Sequence, residues 1–183
     1  MKAKDTYRVL RSVLGPWFKE NGFKSQSSSN PVYQRQVGPD FFVVKIRCHH
    51  DGWNPYKGSK FSVWIRSGPD PTLDDGAQFQ LANYLSLPEL EYIRARQNRI
   101  LQNIPPPPPD YINDMVKGFE KVFKNPTTYI AYFLEDWKQV SRPYSREDHV
   151  WFRYFSEEDV RSWAILVHNH VRAIHERWQS DAT

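Results

Sequence analysis

The sequence predicts one α+β domain, an antiparallel meander of three to four strands packed by an N-terminal helix and several C-terminal helices. Apolar residues recur at three- and four-residue steps near the N-terminus, a two-residue alternation follows over residues 31–66, and helical spacing returns after residue 86. A chain of 183 residues can bury about 70% of its unfolded surface in a single domain. We expect residues 1–67 to form the first helix and the meander, and residues 68–183 to be mainly helical.

The first predicted element is a helix over residues 5–21. Gly22 predicts a left-handed cap at its end. Gly15 and Pro16 lie inside it, and proline removes a helical donor and crowds the preceding turn, so we expect a kink or a break into two short helices. The buried stripe is predicted to consist of Tyr7, Leu10, Leu14, Trp17 and Phe18.

The meander begins with a predicted β-hairpin. Two alternating runs, residues 31–37 and 41–49, are joined by the turn sequence Gly-Pro-Asp at residues 38–40. Residues 60–66 add a third strand, and the aromatic-rich residues 150–154 predict a fourth. Because side chains alternate along a strand, every second residue of the second and third strands is predicted to face the core. The predicted inward residues are Phe42, Val44, Ile46, Cys48, Phe61, Val63 and Ile65. The predicted outward residues are Lys45, Arg47, His49, Ser62, Trp64 and Arg66.

After the meander, residues 86–103 predict a helix with Leu90, Ile93, Gln97 and Ile100 inward. Ser86 and Glu89 form a capping box, and Pro88 is tolerated in the first turn. The five prolines at residues 105–109 predict a rigid spacer of about 15 Å, at about 3.1 Å per residue. Docking of this run into an aromatic groove of another protein is the alternative, although no basic residues flank it.

Three further helices complete the predicted fold. Asp110 is predicted to cap the first, Thr127 or Thr128 the second, and a capping box of Ser156 and Asp159 opens the last. Their predicted inward residues are, in order, Ile112, Met115, Val116, Phe119 and Phe123; Ile130, Phe133, Trp137 and Val140; and Val160, Trp163, Val167, Val171, Ile174 and Trp178.

The first third of the chain contains a characteristic order of aromatic and basic residues. A helix ends in the segment of residues 17–24, and Tyr33, Arg35, residues 42–47, Trp53 and residues 61–65 follow at characteristic intervals. In this region the chain resembles the bacterial domain-of-unknown-function family 4304. The landmarks are structural ones, and the family brings no catalytic residues to carry over.

Charge is unevenly distributed along the chain. Residues 1–60 carry 11 Lys/Arg and 4 Asp/Glu, a balance of +7, whereas residues 61–183 carry 14 and 17, a balance of −3. The basic first third can attract an anionic partner, although a total of +4 is also typical of proteins that use charge only to stay soluble.

Composition and motifs limit the classes of function. Cys48 is the only cysteine, which excludes an internal disulfide and fits the reducing cytoplasm. Charged residues interrupt the first 17 residues, so we expect neither a signal peptide nor a membrane span. Phosphate-binding loops, dinucleotide fingerprints, zinc-protease helices and serine nucleophile elbows are absent from the sequence. We therefore expect no cofactor and no catalytic residues.

The run Cys48, His49, His50 and Asp51 contains three types of zinc ligand. Strand alternation sends Cys48 and His49 to opposite faces, and no second cluster with metal-type spacing occurs in the sequence. A buried thiol followed by a polar strand end is therefore preferred, and a metal site is the alternative. A reactive thiol needs exposure and a cationic neighbour, so Cys48 on the core face is not expected to be a nucleophile.

The strongest functional candidate is the outward face of the sheet. Lys45, Arg47, Trp64 and Arg66 would form a basic surface with an aromatic plate, which can stack bases and pair with phosphates. Alternatively, these residues form the solvent side of a half-buried sheet, or the later helices cover them.

The loop of residues 50–59 is a second candidate, because it carries Trp53 and Tyr56 among Gly, Asn and Pro. Aromatic residues on loops often make binding contacts. Alternatively, Trp53 folds back as a lid on the core.

Together these features predict a non-catalytic binding module of an interaction or immunity type, with a protein partner that contacts the sheet face and the Trp53 loop. One alternative is a nucleic-acid-binding protein that uses the basic sheet face. Another is a hydrolase without a recognisable motif, for which Asp74, Asp75 and residues 157–159 are candidate carboxylates.

Overall fold

The computed structural model describes residues 1–26, 31–72, 80–136, 140, 143–146 and 148–181. Five strands in this part of the chain form one antiparallel sheet with the order β1-β2-β3-β4-β5, which confirms the α+β class. None of the helices described has both the length and the apolar character needed to cross a bilayer. The elements are α1 (Ala3–Glu20), β1 (Lys24–Ser25), β2 (Val32–Val37), β3 (Asp40–Cys48), β4 (Ser59–Gly68), a 3₁₀ turn (Leu81–Tyr84), α2 (Leu87–Gln102), α3 (Pro109–Val122), α4 (Pro126–Asp136), β5 (Phe152–Tyr154) and α5 (Glu157–Asp181).

The sheet follows the predicted meander. The predicted hairpin consists of β2 and β3, whose final pair is Val37 with Asp40. Gly38 begins the connecting turn with a φ of +59°, a conformation that glycine adopts without the steric cost of a Cβ atom. β5 is the predicted fourth strand and pairs with β4. The sequence does not predict β1, because a two-residue strand carries no readable alternation.

α1 is one continuous helix, so of the kink or break predicted at Pro16 the break is wrong. Pro16 and Ser12 are both exposed, so the carbonyl that loses its helical donor can bind water instead. The predicted cap at Gly22 is confirmed by a φ of +73°. The amide of Phe23 donates to the carbonyl of Phe18 at 2.9 Å, and their rings are in contact, which completes a Schellman motif.

A hydrophobic core fills the space between the inner face of the sheet, α1 and α5. All the strand residues predicted to face inward are buried. Val160, Trp163, Val167 and Val171 of α5 have no exposed surface, and burial of each stabilises the fold by about 1.5–3 kcal/mol. The core cluster extends from Tyr7 to Ile174, so the helix-plus-meander part and the helical part of the chain share it.

Both predicted capping boxes are confirmed. The amide of Ser86 donates to Oε2 of Glu89 at 2.6 Å and begins α2, whose four predicted inward residues are buried. The amide of Ser156 donates to Oδ2 of Asp159 at 2.9 Å at the start of α5.

α3 and α4 begin at different positions from those predicted. α3 begins at Pro109, so the proline spacer ends at Pro108, which has the polyproline angles φ −65° and ψ 150°. Asp110 therefore lies in the first turn of α3 instead of capping it. α4 begins at Pro126, which places residues 127–128 in its first turn. In both helices proline takes the first position, where its missing N–H costs nothing.

The apolar stripe of α3 is less covered than predicted. Its five predicted inward residues are only half-buried, and α3 contains no buried residue. Ile130 of α4 is also half-buried. Val140 lies beyond α4, with its amide bonded to Oδ1 of Asn98 at 2.7 Å, and Trp137 lies outside the described residues. The helical period is correct in α3, but the core does not extend to this helix.

Candidate binding surface on the outer face of the sheet

Four of the six predicted binding residues lie on the outer face of the sheet. The register pairs Lys45 with Trp64 and Val43 with Arg66, and directly paired side chains share one face. Arg47 is exposed, whereas Lys45 and Arg66 are half-buried. Trp64 has only 2% of its surface exposed. The four residues therefore share a face but differ in how much of each side chain is exposed to solvent.

Trp64 is enclosed by neighbours at the β5 edge of β4. Gln80 forms a β-bridge with Trp64, and the rings of His149 and Trp151 lie 5.5 and 6.4 Å from the Trp64 ring. The prediction that Trp64 forms an accessible aromatic plate is therefore wrong. These neighbours lie at residues 80 and 149–151, outside the helices and strands, where the sequence carries no helical or strand period.

Arg66 is held by the turn that follows β4. Its guanidinium lies 3.1 Å from Oδ2 of Asp70 and donates to the carbonyl of Thr72. These contacts draw Arg66 towards its own loop.

Three cationic side chains form what we call the cationic row: Lys45, Arg47 and Lys60. Lys45 and Arg47 are two residues apart on β3 and so point to the same face. Arg47 pairs with Ser62 of β4, and Lys60 lies two residues before Ser62 on that strand. The cationic row therefore crosses from β3 to β4 on one face of the sheet.

Aromatic rings border the cationic row on the side of β5. The ring of Trp151 is stacked on that of His149 at 5.2 Å with 11° between the planes, and Nζ of Lys60 lies 5.7 Å from the centre of the Trp151 ring. His49 contacts Trp151 edge to face at 4.9 Å. The aromatic groups of this surface thus pack against each other and against a cation.

Lys60, His149 and Trp151 are parts of this surface that were not among the residues predicted from the sequence. Lys60 shares the two-residue period of Ser62 and Trp64, so extending the alternation by one step identifies it. His149 and Trp151 are different, because they join the surface only through the pairing of β5 with β4. Local sequence carries no signal for that contact.

The Trp53 loop folds back onto the protein, as the alternative interpretation proposed. Nε1 of Trp53 donates to the carbonyl of Phe155 at 3.1 Å, and the two rings lie 5.5 Å apart. The ring of Tyr56 lies 4.8 Å from that of Tyr111 in α3. Both predicted loop residues are half-buried and make contacts inside the chain.

Cys48 lies on the inner face, as predicted, and is a free, buried thiol. Burial raises the pKa of Cys48 to about 11 and the pKa of Tyr7, whose hydroxyl accepts from the Cys48 amide at 3.0 Å, to about 12. At neutral pH this thiol is therefore protonated, which argues against a nucleophilic role.

Cys48 is the last residue of β3 and is not part of the cluster that follows it. The turn after β3 brings the next three residues together. Ligand atoms of His49, His50 and Asp51 all lie within 4.8 Å of one another. Burial, followed by the charge of Lys60, lowers the pKa of His49 to about 4. Strand alternation predicts the opposite faces of Cys48 and His49, but it does not predict this convergence.

The carboxylates considered for a hydrolase have other partners or lie outside the described residues. Glu157 forms an ion pair with Arg8, and Asp159 caps α5 through Ser156. Asp74 and Asp75 lie outside the described residues. Glu157 and Asp159 are therefore explained by an ion pair with α1 and by helix capping, respectively.

No protein-family model, curated protein or solved structure matches this chain. The resemblance of the first third to family 4304 thus stays a prediction.

Proposed function

We propose that this chain is a non-catalytic binding protein that engages an acidic surface of a protein partner through the cationic row. The observation that carries the proposal is the placement of Lys45, Arg47 and Lys60 on one sheet face, at neighbouring register positions. Such a concentration of one sign of charge steers an oppositely charged partner and fixes its orientation. An interaction or immunity-type module, which the lack of a catalytic motif and the polar, aromatic sheet face favour, would use a surface of this kind.

The packing of the aromatic rings favours a protein partner over a nucleic acid. Binding of single strands relies on aromatic faces that are accessible to bases. Trp64 is buried, one face of Trp151 is stacked on His149, and the Lys60 ammonium lies over the Trp151 ring. This arrangement supports charge pairing with carboxylates more than stacking of bases.

The test compares two double charge reversals. The variant K45E/R47E inverts the cationic row, whereas K117E/R161E inverts two exposed cations on α3 and α5 as a matched control. Each tagged protein is used to capture partners from the source organism, and a captured protein is then purified and titrated. We expect K45E/R47E to weaken binding at least about tenfold at low salt, and the control to bind as the wild type does.

Two outcomes would overturn the proposal. Equal binding by K45E/R47E and the wild type would remove the cationic row as the contact surface. Binding of oligo(dT) or poly(U) that weakens steeply with salt, and is lost in K45E/R47E, would show a nucleic acid as the partner instead. Circular dichroism of both variants verifies that the sheet is intact.

A further inference from the structure

The turn after β3 gathers three side chains that can bind a metal ion. Nδ1 of His49 lies 3.4 Å from Oδ2 of Asp51, and Nε2 of His50 lies 3.0 Å from Oδ1. Ligand atoms around a tetrahedral zinc ion lie about 3.3–3.5 Å apart, because each bond is about 2.0–2.1 Å long. These two distances involve different oxygens of Asp51, and with one ligand atom from each residue the three atoms lie within 4.8 Å of one another, so side-chain rotation must bring them closer around an ion. We call these three residues the His-His-Asp turn.

We propose that the His-His-Asp turn binds one divalent transition-metal ion of the zinc type. Two imidazole nitrogens and one carboxylate oxygen form a donor set that suits zinc and its neighbours better than magnesium or calcium. Three protein ligands leave the fourth tetrahedral position to water. The inference is independent of the proposed function, because it uses none of the residues of the cationic row.

The surroundings hold these ligands in place before any ion arrives. The rings of His49 and His50 are stacked at 4.3 Å, and the edge-to-face contact of His49 with Trp151 fixes the first ring from the β5 side. The amide of Asp51 donates to Nδ1 of His49 at 3.3 Å, so this nitrogen is the acceptor that faces the turn, and a metal ion takes over its lone pair by displacing that hydrogen bond. Gly52 follows with a φ of +72°, which lets the chain reverse directly behind the carboxylate.

One neighbouring cation competes with the metal ion. Nζ of Lys57 lies 3.5 Å from Oδ2 of Asp51 and neutralises the carboxylate that the metal ion needs. An incoming dication must displace this ammonium and is repelled by it. Removal of the Lys57 charge should therefore strengthen metal binding. If the ion were bound instead by a histidine elsewhere on the protein, removal of this charge would leave the affinity unchanged.

The experiment titrates zinc into the full chain against a chromophoric chelator. We expect one saturable site in the wild type, a loss of at least about tenfold in affinity in His50→Ala and in Asp51→Asn, and a gain of several-fold in Lys57→Gln. His168→Ala, which removes a half-buried histidine of α5, should leave the affinity unchanged. Amide chemical shifts of the zinc-bound protein should change mainly at residues 49–52.

Several results would overturn the proposal. Zinc binding that does not saturate, or that survives unchanged in both His50→Ala and Asp51→Asn, would place the ion elsewhere. A Lys57→Gln variant that binds no more tightly would show that Asp51 is not a ligand. His50 is largely exposed, so His50→Ala is expected to fold, and the amide spectrum without zinc verifies this.

Discussion

The inner face of the sheet packs against two long helices, whereas on the outer face the described neighbours of Trp64 are Gln80, which lies beside β4, and the rings of His149 and Trp151. Ile46 on the inner face and Trp64 on the outer face are both buried, while Arg47, next to Ile46 on β3, is exposed. One face thus supplies most of the stability, and the other combines a small buried patch with the cationic row. Substitutions on neighbouring positions should separate these roles.

The largest difference is expected between adjacent residues of β3. Ile46→Asp places a carboxylate where no surface is exposed, and should remove more than about 4 kcal/mol of the free energy of unfolding. Arg47→Asp, one residue later, should change it by less than about 1 kcal/mol. Urea unfolding followed by circular dichroism measures both. A stable Ile46→Asp protein would contradict the placement of the core.

Substitutions of Trp64 test whether Gln80, His149 and Trp151 keep this ring enclosed in solution. Trp64→Ala should cost about 3–5 kcal/mol if the ring is as enclosed as its 2% exposure indicates. Trp64→Phe should cost much less, because it keeps a ring and removes an indole N–H for which the described residues offer no acceptor. If urea unfolding shows a similar, small loss of stability for both variants, the residues that enclose Trp64 open in solution.

The pH dependence of stability should arise partly from His175, which packs against the inner-face residue Phe42. Burial, followed by the nearby Arg35, lowers the pKa of His175 to about 4 from an ordinary value of 6.5. Between these values the unfolded chain binds the proton and the folded chain does not, so stability falls as the pH falls below 6.5. The loss between pH 7 and pH 4.5 should be about 2 kcal/mol.

The measurement compares urea unfolding of the wild type and His175→Gln over this range of pH. The variant should lose less stability on acidification, whereas His168→Gln, altered at a half-buried position on the same helix, should behave as the wild type does. A parallel decline in all three proteins would assign the acid sensitivity to other groups.

The contrast between the two faces also explains which features the sequence predicts. The capping boxes at Ser86 and Ser156 are local, and the inward residues of β3 and β4 follow from a two-residue period, so all of these were confirmed. The break at Pro16 was wrong because tertiary packing holds α1 together on its buried side. Local propensity is a weak argument where a helix has a large apolar face to bury.

The candidate surface was harder to predict than the fold. Alternation shows that Lys45, Arg47 and Trp64 share a face, but it does not show which segments from later in the chain lie next to these residues. The enclosure of Trp64 by His149 and Trp151, and the packing of Trp151 beside Lys60, depend on the long-range pairing of β5 with β4. The convergence in the His-His-Asp turn depends on the conformation of a turn, to which alternation does not apply.

The smallest expected effect compares two serines of β4 that lie on opposite faces. Ser59 is buried on the inner face and hydrogen-bonds to Tyr154, so Ser59→Ala should cost about 1 kcal/mol. Ser62 is buried on the outer face, and no described residue bonds to its Oγ. Ser62→Ala should therefore be neutral or slightly stabilising, since it removes a polar atom that is buried without compensation. Urea unfolding of the two variants under identical conditions gives the comparison. If Ser62→Ala instead destabilises the protein as much as Ser59→Ala does, the outer face contains a polar contact that makes it as tightly organised as the inner one.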